Sequence, residues 1–152
     1  MIRKDREITD INEIIEVLKQ CDTVSIAFHD NEYPYILPVS FGVVTGENTV
    51  IYFHGANRGK KIDLIESNPK VCVEGHIFRE IVSSGHGITT KYESIIAYGS
   101  VVKVEGEEVI TGLNSITEHY AYPDYPVGSC KGLPYTAVYK VVISDITGKR
   151  NV

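Results

Sequence analysis

The sequence predicts a mainly β fold, a small antiparallel β-barrel with a few short helices. Five or six short runs rich in β-branched and aromatic residues follow one another in hairpin order. Clusters of Gly, Asn, Asp and Pro separate them. Only two or three stretches show helical spacing, too few to supply the crossovers of a parallel sheet. With 152 residues, 43% hydrophobic and 23% charged, residues 1–152 are expected to form a single domain around one core.

The elements follow in order. Thr9-Asp10 with Glu13 has the form of a capping box, and Ile11, Ile14, Ile15 and Leu18 recur at helical spacing, so an amphipathic helix is expected to end near Cys21. Val24, Ile26 and Phe28 alternate with Thr23, Ser25 and Ala27; Asp30-Asn31-Glu32 then turns the chain into Tyr33 to Val44, completing a hairpin. Pro34 and Pro38 cannot donate to a ladder, which makes the second strand irregular or edge-like and frees backbone groups there. A turn at Thr45 to Asn48 leads into a third strand, Val50 to His54.

A short helix is expected next. Ile62, Leu64 and Ile65 form its apolar stripe, Asn68-Pro69 stops it, and Asn57 is the expected N-cap. Lys70 to Glu74 is a fourth strand and Ser94 to Val104 a fifth, interrupted by Gly99; the stretch Ile77 to Thr90 between them is ambiguous. Helical spacing returns through Val109, Leu113, Ile116 and Tyr120, followed by a tyrosine-rich loop and a last strand from Ala137 to Ile143.

Composition narrows the function classes. A formal charge of −5 at pH 7 leaves no general basic face for nucleic acid and favours a small ligand met by local positive charge. Three cysteines in no framework spacing suggest reduced thiols inside a cell. The charged N-terminus carries no apolar core of a leader, and no run approaches the ~20 apolar residues of a membrane span, so a cytoplasmic protein without membrane contact is expected. His29, His76, His86 and His119 show no metal-ligand spacing, and no nucleophile elbow is present.

The most informative segment is Tyr52-Phe53-His54-Gly55-Ala56-Asn57-Arg58-Gly59-Lys60-Lys61, which joins a strand to a helix through a glycine-flanked turn. Free N–H groups of a helix's first turn carry partial positive charge, and cations beside them oppose the macrodipole unless an anion is bound. A solvated basic patch and a phosphate site are the two readings; the glycines, which allow close backbone approach, lean toward the second. The segment is not a P-loop, since three residues separate Gly55 from Gly59 where that motif has four. Gly85-His86-Gly87 has Thr90 where a dinucleotide fingerprint needs its third glycine. His54 could hydrogen-bond or exchange a proton near neutral pH, or simply be satisfied at a barrel rim. The tyrosines from Tyr120 to Tyr135 suit stacking on a planar ligand, burial in a subunit interface, or ordinary loop packing.

Taken together and in order, Tyr33 to Gly42, Tyr52-Phe53-His54-Gly55-Ala56 with Gly59-Lys60-Lys61, Asn68-Pro69-Lys70-Val71-Cys72, and Tyr92 to Gly99 resemble the pyridoxamine 5′-phosphate oxidase-like FMN-binding split barrels. Within them the pattern is most similar to the nitroimidazole-resistance (Nim) proteins. The resemblance implies an antiparallel FMN-binding split barrel and a homodimer with two FMN molecules at its interface. It implies Val39, Ser40 and Phe41 along the flavin, His54 and Gly55 near it, Lys60 and Lys61 on the phosphate, and Ser94 on the neighbouring strand. Vitamin B6 oxidation is not expected, because the chain's last residues, Thr147 to Val152, do not match the arginine and histidine positions of the oxidase itself. The implied activity is a flavin-dependent reductase passing electrons to a small acceptor such as a nitroaromatic, with His54 as the catalytic candidate. The rival from another class is a flavin or haem carrier or sensor without turnover.

Overall fold

Inward-facing apolar residues at every second position close this chain into a barrel. In the computed structural model, which describes residues 1–152, the strands are β1 (Glu7–Ile8), β2 (Val24–Phe28), β3 (Tyr35–Val39), β4 (Phe41–Val44), β5 (Val50–Ala56), β6 (Lys70–Ser83), β7 (Ile88–Lys103) and β8 (Thr136–Asn151). The helices are α1 (Ile11–Gln20), α2 (Lys60–Ser67) and α3 (Glu107–His119). All strand pairs are antiparallel, in the order β3-β2-β6-β7-β8-β5-β4, with β1 added to β8. β3 and β4 are consecutive in the chain yet lie at opposite ends of that order. Ser40 alone joins them, so the barrel is split there.

Val24, Ile26 and Phe28 of β2, Phe41 of β4, Ile51 and Phe53 of β5, Val73 of β6 and Ile95 and Ala97 of β7 fill the interior, and all are buried. Ile14, Val17 and Leu18 of α1 and Leu64 of α2 pack into the same core. Phe53 and Tyr139 stack there at 5.5 Å between ring centroids. A second, smaller cluster lies on the other face of β5 and β8, where Ile116 of α3 covers Tyr52 and Val138. These two clusters fix the side chains of β5: Phe53 points into the barrel, and Tyr52 lies under α3.

Several expectations change in detail. Eight strands are present rather than five or six. The ambiguous stretch 77–90 is β-structure, forming with β7 a long hairpin turned at Ser84 to Gly87. Its apolar side chains Phe78, Ile81 and Ile88 are exposed, so the alternation that signals one buried face is missing from the sequence. The last strand continues eight residues past Ile143, because β7 pairs with it as far as Asn151 and β1 covers its end. A register shift between Tyr98 and Gly99 interrupts this ladder and breaks the period in sequence.

The capping predictions resolve differently at the two helices. Asp10 caps α1, its carboxylate accepting from the Asn12 N–H at 2.8 Å. Glu13 does not reach back to close a capping box; it pairs with Arg150 at 2.7 Å. Asn57 is not the N-cap of α2. That position belongs to Gly59, at φ 128°, which supplies no side-chain cap. The intervening residues are taken up by β5, which pairs with β8 as far as Ala56.

One buried polar network ties β6, β7 and β8 together. Glu93 is buried and accepts from Arg79 at 2.6 Å and from Arg150 at 2.8 Å. Burial pushes its carboxyl up, but the two guanidinium groups more than reverse this and hold it below its ordinary value. A depressed carboxyl pKa stabilises the fold above the unfolded-state pKa, and that contribution is lost as pH falls through the folded value. Lowering pH from 7 towards 3 should therefore lower Tm, with a shallower slope in Glu93→Gln; parallel slopes by circular dichroism would remove the linkage from Glu93.

Candidate functional site

The predicted site residues do not form a single cluster in one chain. Val39 pairs with Val24 at one end of the barrel order, and Phe41 pairs with Phe53 at the other. Both side chains are buried in the core, so what these two residues can present to a ligand is backbone; Ser40 between them is exposed at the seam. The Phe41 N–H is also taken, donating to the Tyr120 hydroxyl at 3.3 Å, which itself donates to the Asp22 carbonyl at 2.7 Å. What the split offers a ligand is therefore Ser40 and the backbone around it.

The two lysines of α2 have different partners. Lys60 pairs with Asp30 at 2.7 Å and lies 4.9 Å from the centre of the Tyr35 ring. Hydrogen bonding to Asp30 raises its pKa. Lys61 has no acidic partner, and burial lowers its pKa. Its ammonium crosses directly over Gly55, where a side-chain carbon would overlap the amine nitrogen. A side chain at position 55 would have to push the flexible end of Lys61 aside, so the glycine leaves that end of the lysine its place over the strand.

His54 is the next residue inward on β5, paired with Val138. Its side chain is solvent-facing, yet crowding by neighbouring atoms and then the charge of Lys61 lower its pKa, which favours the neutral imidazole. It opens into a cleft of about 200 Å³ between α3 and the tyrosine-rich loop. That loop contains two short 3-10 turns, at Val127–Ser129 and Leu133–Tyr135.

Ser94 is elsewhere. It pairs with His76 of β6 and Lys149 of β8, whereas His54 pairs with Val138, eleven residues earlier on β8. That is roughly 35 Å of strand at ~3.3 Å per residue. Ser94 belongs to the outer face of the sheet, together with Cys72, Ile96 and the exposed Tyr98. The largest cleft, about 590 Å³, opens on this face among Ala27, His29, Tyr33, Cys72 and Tyr98. Asp30, the partner of Lys60, also lines it, so the cleft reaches the beginning of α2.

Three features escaped sequence reasoning: the Asp30 and Tyr35 partners of Lys60, the Tyr120 clamp on Phe41, and the cleft beside His54. The clustering of tyrosines after α3 was the one signal pointing to the last two.

The arrangement can hold an anion at Lys61 and the free first-turn amides of α2, with a neutral imidazole nearby. No helix is long and apolar enough to cross a membrane. Comparison with known proteins places these features in a family. Residues 10–150 match the family model described as pyridoxamine 5′-phosphate oxidase. The structure is similar to that of a candidate 5-nitroimidazole antibiotic resistance protein from Bacteroides thetaiotaomicron, at TM-score 0.82 and 28% identity, covering 94% of this chain and 85% of that one. It shares its fold with an FAD and haem binding protein from Mycobacterium smegmatis, at TM-score 0.80 and 15% identity over 96% of this chain and 73% of the other. A FAD-binding protein from Mesorhizobium loti aligns at TM-score 0.70 and 15% identity over 97% and 98% of the two chains. No curated protein sequence matches significantly. By its match over almost its full length, the split-barrel chain belongs to the pyridoxamine 5′-phosphate oxidase family that the model describes.

Proposed function

We propose that this protein binds FMN as a homodimer and reduces a small acceptor such as a nitroaromatic. The observation that carries the reading is Lys61, a half-buried ammonium without an acidic partner, set over Gly55 at an α2 start that lacks a side-chain cap. The donor set suits a phosphate: one cation, one helix's first-turn amides and the nearby glycine backbone.

Bound flavin would supply reversible electron transfer; the protein's part is to bind, orient and move protons. Lys61 holds the phosphate end, and Ser40 with its adjoining backbone orients the ring system at the seam. His54 meets the acceptor side, where a neutral imidazole donates a hydrogen bond from its ring N–H. The similarity to a candidate nitroimidazole-resistance protein supports a nitroaromatic acceptor, and the neighbours described as FAD-binding support a flavin.

The outer sheet face supports the homodimer. Ile36 and Tyr98 are exposed there beside Ile96 and Cys72, a patch of the kind that a second copy covers in a two-fold interface.

Purification tests the reading. A yellow protein with a flavin spectrum, bleached by NAD(P)H and sedimenting as a dimer, is expected, and His54→Ala should keep the flavin while turnover falls at least tenfold. Colourless protein that takes up no FMN overturns the proposal, a haem spectrum replaces the cofactor, and unchanged turnover in His54→Ala removes His54 from the reaction.

A further inference from the structure

Arg6 is a charge that its own surroundings leave over. It ends the 3-10 turn Lys4–Arg6 just before β1 and borders a cleft of about 340 Å³ where the first and last segments of the chain meet. Four carboxylates line that cleft, and each is engaged within the protein. Asp5 pairs with Arg3 at 2.6 Å, and Glu7 with Lys4 at 3.0 Å. Glu13 pairs with Arg150 at 2.7 Å, and Asp10 accepts the Asn12 N–H at 2.8 Å. None of them reaches Arg6, whose Nε is shielded from water and meets no acceptor. A shielded donor of this kind is costly, and folded proteins keep few of them.

A second cation stands beside it. Tyr92 pairs with Asn151 across the β7–β8 ladder and Ser94 with Lys149, so Tyr92 and Lys149 share one face of the sheet. The Lys149 ammonium lies 5.8 Å from the centre of the Tyr92 ring. Glu7 is opposite Lys149 on β1, but its carboxylate is the one held by Lys4. Burial pushes the Tyr92 hydroxyl up; hydrogen bonds from Lys149 and Arg6 more than reverse this and lower its pKa. Both cations therefore converge on one hydroxyl, and like charges gathered at one point repel each other unless an anion joins them.

The donors select the anion. Arg6 offers a planar fork, Lys149 a point charge and Tyr92 a hydroxyl. A phosphate monoester, with about −1.5 to −2 charges at neutral pH and three terminal oxygens, matches two cations and a hydroxyl better than a carboxylate does. The adjoining cleft adds Thr9 and the engaged carboxylates, which accept hydrogen bonds from hydroxyl groups and repel further negative charge. The rest of the ligand is therefore neutral and rich in hydroxyls.

We propose that Arg6, Lys149 and Tyr92 hold the phosphate group of a sugar phosphate whose sugar lies in the adjoining cleft. This site is separate from the Lys61 end of α2: Gly55, beneath the Lys61 amine, pairs with Ala137, twelve residues from Lys149 along β8. It stands whether or not the protein binds a flavin.

Titration of the full chain with ribose 5-phosphate, followed through the arginine Nε–H signals in ¹H–¹⁵N NMR, tests it. A saturable shift of the Arg6 signal is expected, with Kd near or below ~1 mM; the signal is identified by its loss in Arg6→Gln. Arg6→Gln and Lys149→Gln should each weaken binding at least tenfold, whereas Lys61→Ala should leave it within about twofold. Ribose and acetate should each bind at least tenfold more weakly, and inorganic phosphate more weakly than the sugar phosphate. No saturable shift at Arg6, loss of binding in Lys61→Ala, or undiminished binding in folded Lys149→Gln overturns the site. Equal binding of acetate overturns the phosphate class, and equal binding of inorganic phosphate overturns the sugar. An Arg6 shift caused by FMN in the Lys61→Ala protein would make this the flavin's own phosphate site and overturns the separation of the two.

Discussion

Lys61→Ala is expected to weaken FMN binding by roughly 10- to 100-fold, whereas Lys60→Ala should cost less than about 5-fold. The two residues are adjacent in sequence and identical in type, so their difference comes entirely from their surroundings. Lys60 already spends its charge on Asp30 at 2.7 Å and on the Tyr35 ring. An incoming phosphate would have to compete with that carboxylate. Lys61 has no acidic partner and is partly desolvated, which strengthens its attraction for any anion that reaches it. Losing one charge-assisted contact costs ~1.5–3 kcal/mol, about tenfold per 1.4 kcal/mol. Quenching of flavin fluorescence on titration into each variant measures both constants. Equal losses in the two variants would show that the phosphate breaks the Lys60–Asp30 pair, and no loss at Lys61 would put the phosphate elsewhere.

The largest stability effect is expected at Gly42, where β4 meets α3. A side-chain carbon at this position would overlap the backbone carbonyl and hydroxyl of Ser115, both closer than van der Waals contact allows. Ser115 is itself buried, and its hydroxyl is engaged, donating to the Gly112 carbonyl at 2.7 Å. The neighbour is therefore helix backbone, which cannot swing aside as a flexible side chain would. Gly42→Val must lift α3 from the sheet, disturbing the Tyr52, Val138 and Ile116 cluster beneath it. Overpacking of this kind costs ~3 kcal/mol, which at about 2–4 °C per kcal/mol lowers Tm by roughly 6–12 °C. Gly46→Ala, in the open turn after β4 with nothing within 4 Å, is the matched control and should change stability by less than about 0.5 kcal/mol. Thermal unfolding followed by circular dichroism checks the pair; coincident curves would show that α3 yields freely.

Much of the fold was legible because burial is periodic where it matters. Val24, Ile26 and Phe28 all turn inward, and the alternation in sequence is the alternation in space. α1 was equally plain, its stripe of Ile14, Ile15 and Leu18 being the face that packs. Periodicity failed where strands are not half-buried. The hairpin around Gly85 exposes Phe78, Ile81 and Ile88, and β8 shifts register beyond Ile143, so both run longer than their patterns suggested. At α2, the Asn57 side chain was a reasonable N-cap by type, but the chain was still hydrogen-bonded to β8 as far as Ala56.

The sequence by itself determined the antiparallel barrel, its helices, the basic turn at the beginning of α2 and the family pattern, since each depends on local spacing and residue type. Only the tertiary structure decided that Val39 and Phe41 are core residues flanking an exposed Ser40, and that Asp30 claims Lys60 while Lys61 stays free of any acid. It alone set Ser94 and His54 opposite residues eleven positions apart on β8, and placed Tyr125 beside His54. The physical reason is that a charge partner, a cleft wall or a hydrogen bond depends on groups far apart in the chain. Tyr120 reaching the Phe41 N–H across 79 residues is such a contact, which no window of sequence contains.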